Sequence, residues 1–453
     1  MTVARNAPSP RLWLFAVPLL VGFFEAVQQA WVCDDIFISL RYIANLFQGD
    51  GLVFNAGERV EGYTHFLWVM ILATLHRFGM DLVWLAKYLS LVTFALVLGT
   101  LWWRAGRRAS NAVLGLPVAA LALAFHKDMQ IYATGGLETM AFTLTLLWAV
   151  LVTAGPQKRW DLAAALYAIA TLLRPEGALY TSAALMFILW SSRSLRTVLR
   201  FAIVWALLVG PSEVFRLAYF GEWLPNTYYA KSGGTSNWHQ GWIYTSLYFS
   251  IYAVQLLALP AFIVVAVKAL RNRIDSPQGP VRSQLALLVS SHILLSLLYV
   301  TRLGGDFMFA RFYIPITPLL FLLIEDAVVL TRRRSLEVIA LLVILGGVLY
   351  ARELHGQRLP GRERIKGIVN EYNFYPPDYI EVVRRQGEVL GRALRGTTAG
   401  VGLLSGQDAM AYFGNLRYAL EPHGLTDHVL ARKPIAERGR PGHERTASLE
   451  DLL

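Results

Sequence analysis

A single cysteine, Cys33, stands in a chain of 453 residues, so no internal disulfide is open to it and the redox compartment stays unreadable. Charge is scarce as well. Asp, Glu, Lys and Arg make up 16% of the chain, where a soluble domain carries roughly a quarter. That shortage excludes an ordinary water-soluble globule. The chain also lacks a Walker loop, a dinucleotide-binding glycine pattern and a Ser-His-Asp signature, which removes nucleotide-cradling and triad chemistry from consideration. Internal repeats and low-complexity tracts are missing too.

What remains is apolar. Hydrophobic residues account for 55% of the chain, and the mean hydropathy is +0.44. Runs such as Leu12–Trp31 and Phe201–Val214 are nearly uninterrupted, long enough to cross most or all of a bilayer core of about 30 Å. The reading is an all-α polytopic membrane protein. Apolar runs suggest spans near 12–32, 82–103, 111–126, 137–154, 161–173, 178–191, 201–219, 244–268, 283–300, 312–330 and 336–351, about eleven in all. The N-terminal stretch has basic residues before its apolar run but no small-residue cleavage site, which reads as an uncleaved first span.

The net charge of +11 does not point to nucleic acid, because of where it falls. Arg5 and Arg11, Arg104–Arg108, Lys158 and Arg159, Arg193–Arg200, Lys268–Arg282 and Arg332–Arg334 sit in short clusters between apolar runs, as cytoplasmic loops do under the positive-inside rule. All of them fall inside if residues 63–79 lie along the interface or re-enter instead of crossing. The N-terminus is then cytoplasmic and the last hundred or so residues are external. The division expected is a transmembrane domain over 1–351, with a first outer loop at 32–81, and a small extracytoplasmic α/β tail over 352–453. In that tail, Ile380, Val383, Val389 and Leu390 have helical spacing and Gly396 can close the helix. "AGVGLLSG" reads as a short buried strand. The inner loops read as short, basic and plain.

This orientation gathers the chemically interesting residues on the outer face. Asp34 and Asp35 leave the first span together, and neither can sit in lipid, since desolvating a charge costs several kcal/mol or more. One reading is a solvated turn capping the next helix; the other is a general base or a metal ligand. Both hold if one Asp caps and the other reacts, with Asp34 the candidate base and Asp35 the candidate cap. Arg41, Asn55, Glu58, Arg59, Glu61 and Tyr63 follow among glycines, either as polar coverage or as cavity lining. Asp128 and Glu138 lie at outer ends of consecutive spans, where Glu138 alone could be a helix-start acid. Arg174, Lys231, Arg302 and Arg311 are outer cations, exceptions to the inside bias that invite a phosphate or a carboxylate; Glu176 and Asp306 are the nearby acids that could instead pair them. Asn226 and Tyr229 sit in the outer loop with Lys231. Trp223, Tyr228, Tyr229 and Trp238 read mainly as an interfacial belt. His423, Asp427, His428 and His443 match no metal-site spacing.

With these residues in view, "DDIFISLRYIANL…GDGLVFNAGERVEGYTHFLW", "GLET", "RPEG", "LPNTYYAK", "GGDFMFARFYIP", "GLTDHVLAR" and "RPGHER" resemble the arabinofuranosyltransferases, GT-C class membrane enzymes that add terminal sugars from polyprenyl-phosphate arabinose. The family includes actinobacterial cell-wall enzymes and a related pilin-modifying transferase. The resemblance implies a bacterial cytoplasmic membrane, a polyprenyl-phosphate-linked donor and an extracytoplasmic glycan or pilin-like protein acceptor, with no nucleic acid. It implies a first-loop carboxylate, Asp34 or Asp35, as base, Arg174, Lys231 and Arg311 on the donor phosphate, and inversion at the anomeric carbon. Arg41, Asn55, Glu61, Tyr63, Asp128, Glu138, Glu176, Asn226, Tyr229 and Asp306 are the further substrate-binding candidates. No cofactor is required, although a divalent cation on the acids stays open. Only the resemblance favours arabinofuranose over mannose or an aminosugar, and a transporter of lipid-linked glycans is the rival from another class.

Overall fold

A computed structural model describes residues 10–108, 114–231, 235–271, 279–361, 364–404, 406–435, 438–439 and 442–452. Arg5, most of the basic loop at 272–278, and residues 440–441 of "RPGHER" lie outside them. The described chain is helical almost throughout. Among its helices, Leu82–Arg108, Leu195–Phe220, Ser283–Leu303 and Arg334–Arg358 are long and apolar enough to cross a membrane. Trp238–Ile251 and Ala253–Lys268 together pass the same test but meet at 92°, so the stretch at 244–268 is bent, not the single straight span expected. The expected span at 111–126 is helical only over Val118–Phe125. Those at 137–154, 161–173 and 178–191 are the helices Thr139–Thr153, Trp160–Leu173 and Gly177–Ser192, of 15, 14 and 16 residues, and 312–330 is Thr317–Leu330, of 14. Each falls short of the ~20 residues that cross the hydrocarbon core. Phe66–His76, at the juxtamembrane candidate, has 11 residues.

Local chemistry explains these breaks. Arg174 precedes Pro175, and a residue before proline is pushed out of the helical region; Arg174 is extended, with φ −154° and ψ 135°. Gly177 restarts the next helix so close to the previous one that a Cβ there would sit 2.4 Å from the Thr171 nitrogen. "RPEG" is therefore a tight corner between packed helices. Gly136, with φ +86°, makes the corresponding turn before Thr139–Thr153, in the left-handed region that glycine enters without steric cost.

The outside of the bundle is apolar. Leu195, Leu199, Ile203 and Leu207 are all exposed along one helix, a surface that suits lipid and not water. The end that carries the basic loops is not plain. Arg104 Nη2 lies 2.9 Å from Asp326 Oδ2 and Arg108 Nη1 lies 3.2 Å from Glu325 Oε1, with both acids buried. Glu337 accepts from the backbone N–H groups of Leu114 and Gly115. Asp326 and Glu325 tie helix Leu82–Arg108 to helix Thr317–Leu330, and Glu337 ties residues 114–115 to helix Arg334–Arg358.

At the other end the tail folds onto the first loop. The helix Arg334–Arg358 continues past residue 351. Helix Tyr379–Ala393 packs on the short helix Asp408–Phe413, and Gly400–Gly402 pairs in parallel with Tyr418–Leu420, Val401 opposite Ala419. The strand expected in "AGVGLLSG" exists, although Gly400 and Gly402 are exposed and burial begins at Leu403.

Candidate active site

Cys33 donates its backbone N–H to the Gly135 carbonyl at 3.0 Å, which seats the acidic turn against the glycine corner. Helix Ile36–Gln48 begins directly after it, and Asp35 stands at its N-cap position without making a side-chain cap bond. Asp34 is the acid that caps. Its two oxygens accept from the backbone N–H groups of Asp408, at 2.9 Å, and Ala409, at 3.1 Å. The helix it caps is therefore in the tail, more than three hundred residues away, not the one it precedes. Asp34 is buried, whereas the Asp35 side chain keeps 27% of its surface.

Asp35 faces a small cleft whose other walls include Lys231, Phe307, Asp408, Glu421, His423 and His443. Lys231 is the exposed cation there. The tail supplies the remaining titratable groups. Asp408 and Glu421 escaped the sequence reading altogether, because nothing in their local strings distinguishes them from surface acids, and the two histidines were weighed only as metal ligands.

Behind Asp35 lies a buried charge network centred on Glu138. Glu138 Oε1 takes Arg174 Nη1 at 2.9 Å and Arg311 Nη2 at 3.6 Å. Its Oε2 faces His65 Nδ1 at 3.1 Å, and His65 Nε2 meets the Ser39 hydroxyl at 2.7 Å. Burial alone would raise the Glu138 pKa; the attraction of His65, Arg174 and Arg311 outweighs it and holds the carboxyl down at about 2. Arg311 reaches on to Asp35, Nη1 to Oδ2 3.9 Å, and to Asp306 at 3.7 Å. Arg174 also binds Glu176 at 2.6 Å and stacks on Phe312. Arg174 and Arg311 are thus buried and engaged with acids, and Lys231 is the member of that expected cation trio that lines the cleft.

Several other candidates bind the tail in place. Arg41 gives its guanidinium to the carbonyls of Phe54 (2.6 Å), Ala411 (2.6 Å) and Leu416 (2.5 Å). Asn55 accepts from Ala419 N–H at 2.9 Å and donates to Ala419 O at 3.0 Å, acting as an extra strand partner. Asn226 donates to the carbonyls of Gly424, Leu425 and Asp427. Glu61 pairs with Arg216 at 2.5 Å. Tyr63 is buried against Tyr42, its hydroxyl without a hydrogen-bond partner among the described residues. Tyr229 stacks on Arg432 and donates to Glu222. Asp128 accepts from the Tyr252 hydroxyl at 2.5 Å with His355 at 3.4 Å, in a buried cluster with no cleft-lining residue.

Cys33 Sγ, an Asp35 oxygen and a Glu371 oxygen lie within 4.8 Å of one another. Burial, then Glu371 and Asp35, push the Cys33 thiol well above its ordinary range.

The acids that seat the tail are also perturbed. Burial, partly offset by the two backbone N–H bonds, raises Asp34 from an ordinary 3.8 to about 6. Burial and then Asp34 push Asp408 well above the carboxylate range, and burial raises Glu421 to about 7. A carboxyl whose folded pKa is raised contributes stability that is full below its unfolded pKa and lost as pH rises through the folded value. Docking of the tail should therefore tighten on acidification, with the change falling between about pH 4 and 7. We expect hydrogen-exchange protection at 408–413, corrected for intrinsic rates, to rise on the order of tenfold from about pH 7.5 to about 5.5. Asp408→Asn should flatten the trend, and protection that falls on acidification would refute it.

The chain is similar to two proteins named terminal beta-(1->2)-arabinofuranosyltransferase. One, from Mycobacterium tuberculosis, is 30% identical over 353 residues, 70% of this chain and 56% of the relative, so the match spans little more than half the length of that protein. The other, from Corynebacterium glutamicum, is 28% identical over 95% of this chain and 75% of the relative. No family model and no solved structure matches.

Proposed function

Taking the chain as a homologue of the terminal arabinofuranosyltransferases, within an arabinofuranosyltransferase-like GT-C family, we propose that it moves a sugar, arabinofuranose, from a polyprenyl monophosphate donor to a hydroxyl of an extracytoplasmic glycan or protein. The observation that carries this reading is the cleft in which half-buried Asp35 and exposed Lys231 face one another's walls. Asp35 takes the proton of the acceptor hydroxyl as that oxygen attacks the anomeric carbon. The bond from that carbon to the phosphate oxygen breaks, and the polyprenyl phosphate leaves with the electron pair. Attack from the face opposite the leaving group inverts the centre. Lys231 meets the phosphate charge, which makes phosphate a tolerable leaving group without a strong general acid. Arg311, anchored by Glu138, orients Asp35 from behind, and Asp34 braces the tail that closes the cleft.

The test is transfer by the purified full chain, supplied with radiolabelled polyprenyl-phospho-sugars and candidate acceptors. Label should pass from polyprenyl-phospho-arabinofuranose to the acceptor and should survive a chelator. Lys231→Ala should raise the donor KM about tenfold or more with a smaller change in kcat, the loss of one charge-assisted contact. Retention of label on every donor offered would end the proposal. The 92° break at Ile251–Ala253 favours a transporter as the second reading, since discontinuous helices line transport paths. Sealed vesicles that move the labelled lipid without breaking it would support that reading instead.

A further inference from the structure

The connection before Trp160 and the first turns of helix Leu195–Phe220 bring Lys158, Arg159, Arg196 and Arg200 to the walls of one open groove of about 570 Å³. Asp161 is its acid and pairs with Arg200. Lys158 lies over the Trp160 ring and donates to the Gln284 side chain at 2.7 Å. Arg159 and Arg196 are exposed and form no ion pair among the described residues. The groove keeps a surplus of positive charge.

Its position follows from the helices that leave it. Trp160–Leu173 ends at Arg174, bonded to Glu138, and Leu195–Phe220 carries near its end Arg216, bonded to Glu61. A helix of the latter's 26 residues is about 39 Å long. The groove and the Asp35 cleft therefore lie at opposite ends of the bundle. A bias toward basic residues on one side accounts for cations in each segment, but not for their convergence on one concave surface beside an aromatic ring. The exposed stripe of Leu195, Leu199, Ile203 and Leu207, spaced by four, starts at Leu195, next to the groove residue Arg196, and runs along the helix away from it. A soluble anion would use only the cations; a lipid uses cations and stripe together.

We propose that this groove binds the phosphate headgroup of an anionic lipid in the leaflet opposite the Asp35 cleft, with its acyl chains along the 195–207 stripe. Basic side chains at a membrane surface attract such headgroups, each adding a few-fold to affinity.

The test uses the full-length chain in micelles, scored by native mass spectrometry for retained phosphatidylglycerol against phosphatidylcholine, with inorganic phosphate as a third arm. The wild type should prefer phosphatidylglycerol, and Arg159→Gln/Arg196→Gln should lower that retention by about thirtyfold if both cations act independently. Arg392→Gln/Arg395→Gln, which removes the same charge from exposed tail positions, should leave it unchanged. Equal retention by the groove variant and the wild type, or no headgroup preference in the wild type, overturns the proposal. Displacement of the lipid by equimolar inorganic phosphate also overturns it, since the groove would then be a free-anion site.

Discussion

Asp35→Asn is expected to express and fold normally and to lose roughly two to four orders of magnitude in turnover, the usual worth of a positioned general base. The substitution keeps the size of the side chain and its hydrogen-bonding shape. It costs no helix cap, because Asp35 makes no side-chain cap bond. Asp34→Asn differs in kind. An amide keeps only one acceptor oxygen, so one of the N–H groups of Asp408 and Ala409 loses its bond inside a buried contact, at about 1–3 kcal/mol. Its effect should appear as a looser tail, read by hydrogen exchange at 408–413, with a smaller drop in turnover. Measuring kcat for both variants at matched protein levels separates the roles. Full turnover in Asp35→Asn together with collapse in Asp34→Asn would return the base to Asp34 and sink the assignment made from the cleft.

Glu138→Ala should be the most destabilising single change at the site. Glu138 sits between Arg174 and Arg311 and faces His65, all of them buried. Removing it takes away the one acid that both guanidinium groups share, leaving Glu176 on Arg174 and Asp35 and Asp306 on Arg311. Breaking a buried pair from one side costs about 3–5 kcal/mol, because the remaining charge stays desolvated. Glu138→Gln keeps a hydrogen-bond acceptor and should fall between that variant and the wild type. A thermal melt of the purified protein reads the loss. Because Arg311 Nη1 also lies 3.9 Å from Asp35, turnover should fall alongside stability even at temperatures where the variant stays folded. A Glu138→Ala protein with an unchanged melt would mean that solvent or other groups neutralise these arginines.

Local sequence carried some of this site well. "DDIFISLRYIANL" announced a charged turn directly off an apolar run, and the turn does line the cleft. The strings around Arg174 and Glu138 form corners because proline and glycine act through the backbone of their immediate neighbours. Helix spacing in "DYIEVVRRQGEVLGRA" matched the helix Tyr379–Ala393. Other roles were hidden. Arg41, Asn55 and Asn226 were read as substrate contacts because polar residues on an outer face suggest ligands. Each also makes hydrogen bonds to tail backbone, with Asn55 bonded to Ala419 across 364 positions.

The sequence by itself determined that the chain belongs in a membrane and that it is helical, since hydropathy, period and turn chemistry all act within a window of about twenty residues. Tertiary structure alone decided which of two adjacent aspartates meets the cleft, which arginines are engaged by acids, and that the tail contributes Asp408 and Glu421 to the same wall. Burial and charge pairing arise between segments far apart in the chain, and a residue's neighbours in sequence hold no record of which distant carbonyl or carboxylate it will face.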